Sequence, residues 1–334
     1  MTVKALRKQL MAAIAMVVVA AVALSSSTYA WFSTNRVVYI NSLNVNVRAE
    51  GGIEISADGE NWKTILAIQD LIDAHNALYP TSVNQIPDRL EPVSTGKTID
   101  TTTGFLNMYH GLVEIDSSGN YVLEATRSIE VDGSGEISDG KFVAFDIFLK
   151  TQTPTDLYLT TDSGAVYNGD DSVGIENAVR VAFLVQGNAS EGTPLRTIQG
   201  LKNANLATTY IWEPNYDTHT EEAVRHASEV YGITTATTSG NLIDYDGIIA
   251  AFDDDRYVTV DKADATNYPD LFKKVDVDFA TEKGFTSNKQ VFSIQDGITK
   301  VRVYMWIEGQ DVDCEDNASI SNFTFTLQLT SNRG

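Results

Sequence analysis

One cysteine in 334 residues, Cys314, excludes an intrachain disulfide and leaves only a bridge between molecules open. A chain of this size does not need one, because 43% hydrophobic and 9% aromatic residues suffice for a packed core and exclude wholesale disorder. Basic residues are scarce as well. Twenty-four Lys and Arg stand against 45 Asp and Glu, a formal net charge of −21. Residues 1–30 contain Lys4, Arg7 and Lys8 and no acid, so the remainder is three units more acidic than the whole. Nucleic acid and anionic membrane surfaces, which require a basic face, are therefore excluded as partners. A solvated acidic exterior, with divalent cations as modulators, fits this balance.

Histidine is limited to His75, His110, His219 and His226, and no HExxH, CxxC or GxSxG pattern is present. His219 and His226 lie seven apart but do not share a continuous helix, and all four are read as surface residues. No Gly-rich loop opens a helix after a strand, which removes nucleotide chemistry. Carboxylate pairs abound, as they must in so acidic a chain, and a hydrolase that sets two of them across a glycosidic bond is kept as a third reading because sequence spacing does not decide it. The chain is not expected to be an enzyme.

Long apolar runs are also absent, with one exception. "LMAAIAMVVVAAVAL", Leu10 to Leu24, follows the basic start and precedes "SSSTYA", the three parts of an export signal. Thr28 and Ala30 would be the small residues before a cut at Trp31. Alternatively, the uncharged stretch to Phe32 is long enough to remain as a membrane-anchor helix, with the basic residues inside the cell. Both readings place the rest at the cell surface or outside the cell, and signal peptidase is a partner in the first.

Beyond Trp31 and Phe32 the period changes from that of a helix to that of a strand. Leu43, Val45 and Val47 alternate with Asn44, Asn46 and Arg48, the pattern of a strand with one buried face. "GGIEISADGENW" reads as strand, turn at Asp58-Gly59, strand, and "LVEIDSSGNYVLEA" as a hairpin. "TILAIQDLIDAHNALY" has near-helical apolar spacing that includes Ile65, Ile68, Leu71, Ile72 and Leu78, and is ended by Pro80. Residues 80–104, rich in Pro, Thr, Ser and Gly, read as an exposed crossing. "KFVAFDIFLKTQTPTDLYLTTDSGAVYN" gives two strands around Pro154, and "AVRVAFLVQG" another. "TEEAVRHASEVYG" is a short helix beginning after Thr220. "TKVRVYMWIEG" and "SNFTFTLQLT" alternate, the latter with Phe323, Phe325, Leu327 and Leu329 in one row. Residues 234–290 yield no clear elements.

The expected fold is mainly β: an antiparallel β-sandwich or jelly roll with a few helical insertions, preceded by an N-terminal hydrophobic helix. Its divisions are residues 1–30 as signal or anchor, 31–48 as a terminal strand segment and 49–334 as one enlarged domain. Acidic clusters at Asp244–Gly247, Asp253–Asp255 and Glu308–Asn317 lack EF-hand spacing. The last, with Asp311, Asp313, Glu315 and Asp316, is the best candidate for calcium, since a cation would relieve repulsion between its carboxylates. No cofactor is otherwise expected. Asn188, Asn317 and Asn322 match the glycosylation pattern by chance.

"LRKQLMAAIAMVVVAAVALSSSTYAWFSTN" resembles the export segment of proteins of Gram-positive bacteria, especially clostridial relatives, that are processed by a SipW-type signal peptidase and belong with TasA and camelysin. "IWEPNYDTH" and "VRVYMWIEGQDVDC" are similar to segments of the large surface members of that group. The resemblance implies a secreted, non-enzymatic jelly-roll subunit of an extracellular matrix or biofilm fibre, in which the N-terminal strand of one copy completes the sheet of the next. Residues 35–48 would be the donor, with Val37, Tyr39, Leu43, Val45 and Val47 entering the acceptor groove. The partner is then another copy of the chain, with other matrix components or carbohydrate as further partners. The same strand could pair within its own subunit instead. The alternative function is a membrane-tethered adhesion module that stacks carbohydrate on Trp212, Tyr216 or Trp306, although tryptophans alternating in strands also suit a core.

Overall fold

The computed structural model describes residues 38–45, 52–76, 84–115, 118, 121–130, 139–167, 174–202, 207–225, 246–248, 256–260, 272–274, 277–309, 311, 313–314 and 322–333. The fold is mainly β, with several mostly antiparallel sheets. Its centre is a six-stranded sheet. In spatial order this runs β14 (Phe279–Thr281), β10 (Thr208–Pro214), β9 (Val179–Ala189), β16 (Gly297–Ile307), β6 (Val143–Thr151) and β2 (Glu54–Ser56). All neighbours are antiparallel except β10 and β14.

β16 is buried along its whole length, as is nearly all of β6. The alternation read from "VRVYMWI" is therefore not inside against outside. It separates two buried faces. Val301, Val303, Met305 and Ile307 join Val143, Phe145, Ile147 and Leu149 in an apolar core, while Tyr304 and Trp306 join Phe142, Ala144 and Leu184 in a second cluster on the opposite face. The two-residue period of a strand sorts side chains between faces, but whether a face is wet depends on what covers it.

The first face is covered by side chains from two further sheets. One orders β3 (Arg89–Leu90), β1 (Val38–Val45), β17 (Asn322–Leu327) and β8 (Gly164–Tyr167). The other orders β15 (Lys289–Ile294), β7 (Thr155–Leu159) and β18 (Leu329–Thr330). Leu157, Leu159, Phe292, Ile294, Phe325, Leu327 and Leu329 contribute to the shared core, together with Leu71 and Ala74 of α1 (Ile68–Asn76). α1 begins three residues beyond Ile65, which stays about half exposed at 48%. A short α2 (Leu195–Gln199) places Ile198 against Phe148 on the second face.

The expected hairpin is present as β4 (Met108–Ile115) and β5 (Tyr121–Ser128), extended by β12 (Arg256–Val260). β11 (Asp246–Ile248) and β13 (Phe272–Lys274) form a two-stranded pair in the segment that gave no clear elements. Asp58 organises its predicted turn by accepting from the amides of Glu60 and Asn61, with Gly59 in the left-handed region at φ 77°.

The exposed crossing expected over 80–104 is corrected. Among its described residues, Asn84, Gln85, Leu90, Val93, Ser94 and Thr95 are buried. Their polarity is spent inside the protein: Asn84 Nδ2 donates to Leu71 O at 2.8 Å, Gln85 Nε2 to Phe142 O at 2.6 Å and Thr95 Oγ1 to Asn107 O at 2.6 Å. A buried irregular segment can meet its backbone demands in this way.

At the end of this segment Asp100 accepts from the amides of Thr103 at 3.0 Å and Thr102 at 2.7 Å and from Arg127 Nη2 at 2.6 Å. The Thr103 amide, then Arg127, hold its carboxyl down from the ordinary 3.8 to about 2. A folded pKa below the unfolded one contributes stability above 3.8 that is lost as pH falls toward 2. The Asp100→Asn variant should therefore be less stable than the parent at neutral pH. Thermal melting across that acid range should show the two curves converging; a constant gap would sink the assignment.

Candidate functional site

Two features stand out: the pairing of β1, and a buried charge cluster beside the end of β16. β1 begins at Val38 and runs parallel to β17, with Tyr39 opposite Asn322, Leu43 opposite Phe325 and Val45 opposite Leu327. A bulge lies between Ile40 and Ser42, and on the other edge β1 meets β3 over two residues. In the single chain, the proposed donor segment thus pairs within its own subunit. Tyr39, Leu43 and Val45 lie in β1, while Val37 and Val47 lie outside the described residues. So do Thr28, Ala30 and Trp31, and the apolar run with them. Among the described residues no helix is long and apolar enough to cross a membrane.

The charge cluster grows from strand ends. Arg180, second in β9, is buried among apolar neighbours and donates through Nη2 to Asp311 Oδ2 at 2.6 Å; the same nitrogen lies 2.6 Å from Glu213 Oε1 at the end of β10. Asp311 Oδ1 accepts from the Asp313 amide at 2.9 Å. Asp313, fully buried, accepts from His219 Nδ1 at 2.7 Å and from the Thr220 amide at 2.9 Å. Thr220 Oγ1 in turn accepts from the Ala223 amide at 3.0 Å and caps the predicted helix, which is described over 221–225. Trp306 Nε1 donates to Glu308 Oε2 at 3.0 Å.

Gly174 makes room for this arrangement. A Cβ there would stand 2.7 Å from Asp313 Oδ1 and 2.8 Å from Thr220 Cγ2, and its φ of +87° disfavours any other residue.

Among the described residues, the buried carboxylates Glu213, Asp311 and Asp313 meet Arg180 or His219, and Glu308 is buried beside them. Burial pushes Glu308 up to about 7, offset only in part by the Trp306 hydrogen bond and the charge of Arg180, and it raises Asp313 as well, against the hydrogen bond from His219. Burial disfavours a charged His219, but the hydrogen bond and charge of Asp313, with Asp311 and Glu213, outweigh it and raise its pKa. Asp313 and His219 both shift toward holding a proton, Asp313 chiefly through burial and His219 through its acidic neighbours.

The sequence singled out Asp311 and Asp313 but in the wrong setting. They are buried and paired with Arg180 and His219 and not in a solvated acidic loop, though Asp311 still acts on Asp313 as a like charge, and Glu315 and Asp316 lie outside the described residues. Reading His219 as a surface histidine is likewise corrected: it is 8% exposed. Trp212 and Trp306 are fully buried and form no stacking platform. Asn188, one of the three glycosylation matches, spends its Nδ2 on Asp296 O and Thr299 Oγ1, both at 3.1 Å.

Arg180 and Glu213 were missed. Their signal was a lone charge inside each of two strands otherwise rich in apolar residues, with opposite signs on neighbouring strands. No family model, no curated protein and no solved structure matches the chain.

Proposed function

We propose that the chain is an exported structural subunit of a bacterial extracellular fibre or surface matrix, built on an antiparallel β-sandwich or jelly roll and assembling by strand pairing between copies. The pairing of β1 supports this reading. β1 is the first element of the described fold, yet it lies inside its sheet, between β17 and β3. Its hold on β17 is a parallel ladder, a pairing slightly weaker per residue than an antiparallel one. A strand near the chain's start can leave without unthreading anything else, and its departure opens the edge of β17 to the same segment of another copy. Exchange of this kind is a low-cost route between subunits and, when it runs head to tail, it does not close.

The export segment supports the same reading, since removal of residues 1–30 would free the start of β1. Of the residues offered for stacking carbohydrate, Trp212 and Trp306 are buried and Tyr216 is partly exposed.

Electron microscopy and size-exclusion chromatography of residues 31–334 test the proposal. Filaments are expected from the parent, and monomers from a variant lacking residues 31–48. A synthetic peptide of residues 35–48 should bind that variant and cap growing filaments of the parent. A parent that stays monomeric at high concentration overturns the proposal, as does a truncated variant that still polymerises.

A further inference from the structure

We propose that Lys300 and Asp146 become joined by a spontaneous intramolecular amide bond, from Lys300 Nζ to Asp146 Cγ, with loss of one water. Both lie on the covered second face of the central sheet, Lys300 in β16 and Asp146 in β6, with Nζ 3.1 Å from Asp146 Oδ2. The ladder between the two strands sets Arg302 opposite Asp146 and Lys300 opposite Phe148. Lys300 and Asp146 are therefore diagonal neighbours on one face, a separation that a long side chain bridges.

Burial distinguishes this pair from an ordinary ion pair. Each side chain is 1% exposed, whereas the pairs made by Lys63, Lys97, Lys141, Lys150 and Lys283 each leave at least one side chain open to water. A buried ion pair has given up hydration that its mutual attraction only partly replaces. Conversion to an amide removes both charges, and the two paired strands already hold the reacting groups together, which lowers the entropic part of the barrier. Burial lowers the pKa of Lys300, against the charge and hydrogen bond of Asp146 beside it, and so favours the neutral amine that attacks.

The neighbouring groups suit the steps. Lys300 Nζ also donates to Gln199 O at 2.8 Å, at the end of α2, which holds the amine in place. Arg302 Nη1 donates to Asp146 Oδ1 at 2.9 Å, while Oδ2 faces Lys300. A proton passes from the ammonium to Oδ2, giving a neutral amine beside a neutral acid. The nitrogen lone pair then forms the N–C bond at Cγ, and negative charge gathers on Oδ1, where Arg302 stabilises it. The Cγ–Oδ2 bond breaks, and the leaving hydroxyl takes a second proton from Nζ and departs as water. Ammonium and carboxylate thus become amide and water with no other reactant. Glu130 Oε2 accepts from Arg302 Nε at 3.0 Å, so the guanidinium is shared and its hold on the Asp146 carboxylate is weakened. The product would pin β6 to β16 covalently in a chain that cannot form an internal disulfide.

Intact-mass spectrometry of the purified, denatured protein should find it one water lighter than its sequence requires. Tryptic digestion should release a branched peptide in which Lys300, uncut, is joined to Asp146; this measurement needs no variant. Lys300→Arg, checked for folding by circular dichroism, should keep its full mass, because a guanidinium preserves the charge but does not attack. A parent of full mass, a water loss that fragmentation places at Asp-Gly bonds and not at Lys300, or an unchanged loss in folded Lys300→Arg would each overturn the proposal.

Discussion

Arg302→Met is expected to cost about 3–5 kcal/mol of stability, the range for removing one partner from a buried ion pair. Arg302 lies in the middle of β16 with no exposed surface. Its Nη1 donates to Asp146 Oδ1 at 2.9 Å and its Nε to Glu130 Oε2 at 3.0 Å, and its guanidinium lies 4.3 Å from the centre of the Phe105 ring. Lys300 reaches the other oxygen of Asp146 at 3.1 Å. Methionine replaces the packing volume of the arginine stem but not its charge. Lys300 is then left to offset Asp146, and Glu130 loses its ion-pair partner.

Burial already raises Glu130 even with Arg302 present, and without it the carboxyl would hold its proton further up the pH scale. A folded pKa above the unfolded value means stability that is present at low pH and lost as pH rises through the folded pKa. The deficit of Arg302→Met should accordingly be smallest in acid and grow toward neutral pH. Denaturant unfolding at several pH values measures this. In the double variant with Glu130→Gln, part of the loss should be recovered, since the two residues share a network and their effects should not add. A deficit below about 1 kcal/mol at neutral pH, in the range of an exposed pair, would sink the account.

Trp212→Ala should cost a similar amount, about 3–5 kcal/mol, by a different mechanism. The side chain is fully buried in the main core, where it stacks on Phe279 at 6.4 Å between ring centres and tilts against Phe325 at 6.1 Å. Its Nε1 donates to Thr281 Oγ1 at 3.0 Å. One residue therefore joins β10, β14 and β17, and alanine would leave a cavity bordered by all three. Trp212→Phe should lose less, because it keeps the aromatic packing and forfeits mainly the hydrogen bond. Chemical denaturation of both variants separates the terms; equal losses would show that the hydrogen bond dominates. A Trp212→Ala protein with unchanged stability that had lost carbohydrate binding would return the tryptophan to the surface role that its burial denies.

Much of the strand content was legible because a strand's period of two survives in any environment. The hairpin of β4 and β5, the turn at Asp58 and the apolar row of Phe325, Leu327 and Leu329 all followed from alternation and turn residues. What alternation does not carry is the identity of the other face. Arg302 between Val301 and Val303 looks like a solvent-facing residue until Asp146 on β6 and the segment carrying Glu130 close over it. Residues 84–95 failed for a related reason: serine, threonine and asparagine mark exposed loops unless a nearby backbone takes their hydrogen bonds.

The site was half legible. Asp311 and Asp313 were visible as acids close in sequence, but His219 and Arg180 are distant in the chain and join them only through the pairing of β9 with β10 and β16. By itself the sequence determined a β-rich chain, acidic on balance, with one long apolar run and no internal disulfide, because composition and short-range period are properties of the chain alone. Tertiary structure decided which charges are buried, which acids meet a histidine, and which strand β1 joins, because each of these depends on groups that only folding brings within hydrogen-bonding distance.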